Sequence, residues 1–187
     1  MVGSPVFAKS AVWRIDPEKS AVTFVVLRGA RVGAEGTFKK VQGNITFDSS
    51  NIALSTAIAT IPIDTIETGI GARDSDLIGA KYFNSNVFPK ATFTSRKIHF
   101  GPGGKYVVTG LFTLHGVAKT IDLLLTKPTI TTHITGHKLL AASATAVIDQ
   151  SDYGLSFKLL HPDGVLRINN KIMVKVSIEA SADASRK

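Results

Sequence analysis

Lys171-Ile172-Met173-Val174-Lys175-Val176-Ser177-Ile178-Glu179-Ala180 puts Ile172, Val174, Val176 and Ile178 on every second position. That is the period of a β-strand whose two faces meet different surroundings. The same period recurs at Val22, Phe24 and Val26 and at Ile121, Leu123 and Leu125, while helical spacing is nearly absent. Strands are expected at 12–15, 20–28, 32–40, 42–48, 54–63, 91–100, 105–114, 118–128, 138–150 and 171–180. Short turns join them: the glycines of 101–104, His115-Gly116 and Asp163-Gly164 supply the positive φ that tight connections demand. The pattern is an antiparallel meander, and so many strands close into a barrel or fold into a sandwich, because an open sheet leaves unpaired edges.

One segment, 62–89, breaks the alternation. Asp74 or Ser75 is expected to cap a short helix with Leu77, Ala80 and Phe83 on one face, and the mouth of a closed sheet is the natural place to bury that face. Residues 1–11 read as a lead-in, 12–180 as one barrel domain carrying the 62–89 insertion, and 181–187 as a flexible tail. A length of 187 residues, 44% hydrophobic and 19% charged, fits one globular domain and excludes disordered, coiled-coil and collagen-like chains. With no cysteine there is no disulfide, thiolate nucleophile or cysteine-ligated metal. The apolar runs at 21–27 and 139–148 are too short for a membrane-spanning helix, which needs roughly 18 residues. A soluble protein is expected, cytoplasmic if the chain is complete as written and periplasmic if a secretion signal was trimmed.

The strand faces assigned inward are not uniformly bulky. Ala57 and Ala59 precede Ile61; Ala142, Ala144 and Ala146 precede Ile148; Gly36 and Gly43 add further small positions. Interiors are close-packed, so a barrel lined this way either flattens or keeps a lumen, and an apolar lumen suits an apolar ligand. A sandwich that sets the alanines against Phe24, Phe38, Phe47 and Phe93 satisfies the same pattern. The residues leave both open.

Several ordered motifs carry a family resemblance: Trp13-Arg14-Ile15-Asp16 with Ser20-Ala21-Val22-Thr23-Phe24, Gly36-Thr37-Phe38, Gly43-Asn44-Ile45-Thr46-Phe47-Asp48, then Thr68 with Arg73-Asp74, Leu77, Phe83-Asn84 and Phe88-Pro89. Thr92-Phe93-Thr94-Ser95 and Gly110-Leu111-Phe112-Thr113-Leu114-His115-Gly116-Val117-Ala118-Lys119 follow in order. From Trp13 to about Ala180 the chain resembles the YceI family of lipocalin-like proteins. The resemblance implies an all-β, extended antiparallel barrel of about eight main strands with one short helix capping one end, often dimeric and often periplasmic. It implies a lumen that binds, stores or carries a long-chain amphiphile without catalysis: a polyisoprenoid, a polyprenyl quinone or a fatty-acid derivative. No catalytic cofactor is implied, only a bound isoprenoid or quinone-like lipid. Lys19 and Gly29 stand where family members often carry histidine, as does Asp76 in the helix motif.

The lumen candidates follow from the inward faces. They are Val22, Phe24, Val26 and Phe38 on the first strands, then Ile45, Phe47, Ala57, Ala59 and Ile61. Leu77, Phe83 and Phe93 come from the insertion and the strand after it, Ile121 and Leu123 from the next hairpin, and Ala144, Ala146, Ile148, Val174 and Val176 from the last strands. At the mouth, Arg73 and Asp74, with Arg28, Lys81 and Lys119, are candidates to meet an anionic or carbonyl head group; alternatively the Arg-Asp pair simply fixes its own loop.

Other chemistry finds little support. The five histidines, His99, His115, His133, His137 and His161, form no metalloprotease motif and flank no nucleophile motif, so no metal site is expected. Asp149, Asp152 and Tyr153 are conceivable as an acid-base set but sit at a turn. The balance of 22 basic against 14 acidic residues, net +8, invites nucleic acid or an anionic membrane surface. A basic β-sheet that stacks bases on aromatics is the alternative function. It is disfavoured because the lysines are scattered and the phenylalanines fall mostly on the apolar face.

Overall fold

The computed structural model describes residues 10–28, 30–132, 136–156, 158–161, 164–167 and 169–182. The first strands are β1 (Ser10–Ile15), β2 (Ala21–Arg28), β3 (Arg31–Phe38), β4 (Gln42–Asp48), β5 (Thr56–Pro62) and the two-residue β6 (Ile66–Glu67). Helix α1 (Gly71–Ile78) follows, then β7 (Lys90–Phe100), β8 (Tyr106–Leu114), β9 (Val117–Leu125), β10 (Thr129–Thr132) and β11 (Lys138–Asp149). The chain ends in the hairpin β12 (Lys158–His161) and β13 (Gly164–Arg167) and the long β14 (Lys171–Ala182).

Eight of these strands close an antiparallel ring in the order β14-β11-β9-β8-β7-β5-β4-β1 and back to β14. Closure removes the free edges that an open meander would expose. One edge of β14 pairs with β11 from Leu139↔Ser181 to Asp149↔Lys171. Its other edge is shared by two strands in succession: β2 along Ile172–Ser177, then β1 along Ala180–Ala182. At the changeover the Ser20 hydroxyl stands in for the ladder, accepting from the Glu179 N–H at 3.1 Å and donating to its carbonyl at 3.2 Å. The barrel therefore has two tiers. In one the wall beside β14 is β1 and β4; in the other it is β2, β3 and β6, with α1 next to β6.

The expected strands are all present, with shifted ends. The lead-in joins the sheet from Ser10, β14 runs on to Ala182 through the first two residues of the expected tail, and 183–187 lie outside the described residues. β6, β10 and the β12–β13 hairpin were not expected; two to four residues are too short for a period to register. His115 (φ 51°) and Gly116 (φ 77°) form the two-residue turn between β8 and β9, both in the left-handed region that such a hairpin requires. Asp163 of the other expected turn lies outside the described residues.

The helix begins earlier than its expected cap. Ile70 is the N-cap and makes no side-chain capping bond, while Asp74 lies inside the helix and reaches back to Thr68. Ala80 and Phe83 fall beyond the helix, which stops at Gly79, yet Phe83 is still buried because its N–H bonds the Leu77 carbonyl and turns the chain inward. Nor do Gly36 and Gly43 leave empty space. A methyl on Gly36 would fall 2.5 Å from the Phe24 ring, which fills that space; one on Gly43 (φ 146°) would fall 1.9 Å from the Ile58 carbonyl oxygen.

The turn after β11 contains Tyr153, 1% exposed, its ring edge-on to Phe112 with centroids 5.6 Å apart. Burial, with a smaller contribution from Asp152, pushes its phenol up from 10 to about 12. Asp149 moves the other way, held down by the Ser151 hydroxyl and N–H on its carboxylate. Both titrations thus move away from pH 7, the reverse of what proton transfer near that pH needs. The fold favours the neutral phenol, so its stabilising contribution is present below pH 10 and is lost as pH rises through about 12. Tyr153→Phe should flatten the fall of unfolding free energy across that window by about 2–3 kcal/mol in urea titrations at stepped pH.

Candidate functional site

The tier walled by β2, β3 and α1 is hollow. A cavity of about 460 Å³ runs between Val22, Phe24 and Val26 of β2, Ile172, Val174 and Val176 of β14, and Ile121 and Leu123 of β9. Ala59 and Ile61 of β5, Ala91 and Phe93 of β7, and Phe112 and Leu114 of β8 complete the strand wall; Leu77 and Phe83 close it from the helix side. Val174, Val176, Ile121 and Leu123 face inward and pack against the core, yet remain only half-buried, because they also border the cavity.

Polar wall residues are few, and most gather at α1: Thr68, Arg73, Asp76 and Tyr82. Asp76 is the exposed member of the wall and marks where the cavity reaches solvent. Beside it a latch holds the loop before the helix. The Thr68 N–H donates to Asp74 Oδ1 at 2.9 Å, and the Thr68 hydroxyl donates to the same oxygen. Arg73 Nε donates to Thr68 Oγ1 and Arg73 Nη2 to the Thr68 carbonyl, each at 2.7 Å. Gln150 adds an amide to the wall; it is buried, with its Nε2 3.5 Å from the Asn169 carbonyl.

Residues 13–180 match the YceI-like domain. The chain belongs to the YceI family. Among curated relatives, a UPF0312 protein of Photorhabdus laumondii is 43% identical over 88 residues, covering 47% of this chain and 45% of that protein. Protein YceI of Salmonella arizonae is 35% identical over 119 residues, 62% of this chain and 61% of the relative. The matched segments thus span about half to three fifths of these relatives. Among solved structures, BcnA of Burkholderia cenocepacia superposes with a TM-score of 0.74 at 25% identity, over 89% of this chain and 99% of that one. The YceI protein of Campylobacter jejuni gives 0.68 at 24%, over 81% and 86%. A polyisoprenoid-binding domain of Saccharophagus degradans gives 0.65 at 18%, over 92% and 99%, a likeness of fold.

Within this YceI barrel the sequence candidates divide by tier. Val22, Phe24, Val26, Phe38, Ala59 and Ile61 line the cavity, as do Leu77, Phe83, Phe93, Ile121 and Leu123, and Ile148, Val174 and Val176. Ile45, Phe47 and Ala57 do not: β4 and the start of β5 lie in the other tier, where Ile45 sits opposite both Trp13 and Ala57. Ala144 and Ala146 are absent from the wall, although the valines paired to them, Val176 and Val174, belong to it.

Of the head-group candidates, only Arg73 belongs to the wall, and two of its donors already serve Thr68. Asp74 is spent on the same latch. Lys119 lies 4.0 Å from Asp152, Lys81 rests 5.7 Å from the centre of the Tyr82 ring, and Arg28 sits opposite Arg31 at the β2–β3 tip; none of the three lines the cavity. Lys19, one of the departures from the family pattern, bonds Glu179 at 2.7 Å, and Gly29 lies outside the described residues.

Several wall residues escaped sequence reasoning. Phe112, Leu114, Ala91 and Ile172 share strand parity with assigned neighbours and were within its reach. Val41, Ile63, Ile66 and Leu155 come from turns or very short elements without any period, and Ala34 lies in a strand with few large side chains. Among the described residues, no three His, Asp or Glu side chains gather as a metal cluster.

The latch is testable by itself. Thr68→Val should cost about 1–2 kcal/mol of stability, since it strands one donor and one acceptor of charged partners, and Thr68→Ser should restore most of it. Equal denaturation midpoints for the valine variant and the parent would show that the latch does not hold the loop.

Proposed function

We propose that this YceI-family protein binds and carries a long-chain amphiphile, its hydrocarbon in the cavity and its polar end at Thr68, Arg73, Asp76 and Tyr82. The observation that carries the reading is the cavity itself: about 460 Å³, walled by aliphatic and aromatic side chains, with polar groups concentrated at the end that meets solvent. The structural likeness to a polyisoprenoid-binding domain supports the same reading. Burying hydrocarbon is worth roughly 0.8 kcal/mol per CH₂ relative to water, whereas transfer from a membrane, where the chain is already dry, is close to neutral. That near balance lets a carrier both load and release.

Native mass spectrometry of freshly purified protein, followed by organic extraction, should reveal a co-purifying lipid. Ala59→Phe and Val174→Phe, which fill the cavity from opposite walls, should each cut uptake at least tenfold while unfolding stays cooperative. Undiminished uptake in both variants would remove the cavity from the function.

The net charge of +8 supports a second part of the proposal, that the protein collects its ligand at an anionic lipid surface. Vesicles containing phosphatidylserine should retain it at low ionic strength and release it as salt is raised. Equal retention by purely phosphatidylcholine vesicles would sink this part.

A further inference from the structure

The limit of the cavity can be followed on three strands. On β14 the inward series passes from Val176, which lines the cavity, to Ile178, which does not; on β9 it passes from Leu123 to Leu125, and on β5 from Ala59 to Ala57. Below that level the barrel is solid: Trp13, Ile15, Leu140 and Ala180 are each 3% exposed or less and lie away from the cavity. At the boundary lies the Phe93 ring. It covers Gly110 so closely that a methyl there would fall 2.4 Å from Cζ and 2.6 Å from Cε2. Gly110 occupies the inward position between Phe112 of the wall and Val108 of the core, so the missing side chain leaves room for the Phe93 ring at the limit of the cavity.

We infer that the lumen is a blind pocket floored by Phe93, and that its ligand is a single-chain amphiphile of about fifteen to twenty carbons, not one threaded through the whole barrel. The size follows from volume. An apolar cavity of ~150 Å³ takes one six-carbon ring, so a cavity of about 460 Å³ takes roughly three times as many carbons. With the floor closed, further chain has nowhere to go, since cores of this density admit extra atoms only with strain. The inference rests on the lipid-binding reading above and narrows it to a substrate class.

A mixture of polyprenols with 10, 15, 20 and 40 carbons, offered at equal concentration, tests the limit by native mass spectrometry. The protein should retain the 15- and 20-carbon prenols at least tenfold over both the 10- and the 40-carbon ones. Trp13, the chain's single tryptophan, lies in the solid tier and should keep its emission on loading. Phe93→Ala should raise the share of the 40-carbon prenol at least fivefold and shift Trp13 emission. Gly110→Ala, whose methyl would meet both the ring and, at 2.7 Å, the Thr94 carbonyl, should favour shorter chains. Thermal unfolding of both variants establishes that they fold, and the parent protein's length profile stands independently of them. Retention of the 40-carbon prenol equal to or above the 20-carbon one by the parent would overturn the length limit and leave lipid binding intact. Retention of no prenol at all would overturn both.

Discussion

Everything in this molecule depends on β14 being paired along both edges. One edge is taken by β11 over eleven registered pairs, and the other is divided between β2 and β1. A strand paired on both sides has no free ladder groups to offer a neighbouring chain, and here it also forces the sheet to close. Because β1 and β2 follow one another along a single edge, the barrel changes its wall partway along its length. The solid and hollow tiers are consequences of that change: β1 and β4 bring Trp13, Ile15, Ile45 and Phe47 into one tier, whereas β2 and β3 bring only Phe24 and Phe38 as large side chains into the other.

A hollow tier is expensive to keep in a protein interior, where loss of side-chain contacts weakens the fold. The cost is limited here because one buried cluster runs from Trp13, Ile15 and Leu140 in the solid tier into Ile61, Phe83 and Phe112 of the cavity wall, and because the helix loop is fastened by Arg73, Thr68 and Asp74. That arrangement explains why a chain with alanines at Ala34, Ala59 and Ala91 folds around empty space instead of collapsing into it.

Much of this was legible in the order of residues, and the reasons are local. Ile172, Val174 and Val176 betray their strand and their face because side chains alternate with a period of two, and that parity alone places them on the inner wall. The same parity misassigned Ile45, Phe47 and Ala57 to the lumen, since it distinguishes inside from outside but says nothing about position along the barrel axis. Asp76 was noticed as a departure from its family's pattern, while its place at the opening came only from the packing of α1. Gly36 and Gly43 looked like space and are occupied, one by a ring and one by a neighbouring backbone, because emptiness at a position depends on what stands opposite.

The sequence by itself determined the strand register of the inner and outer faces, the interruption that becomes the helix, the two-residue turn at His115-Gly116 and the family, all of which are written in short-range periods or ordered motifs. Tertiary structure alone decided which inward residues meet a void, that the Phe93 ring covers Gly110, and that Arg73 is committed to its own loop. Those outcomes are set by distances between residues far apart in the chain, and hydrophobic pattern carries no measure of such distances.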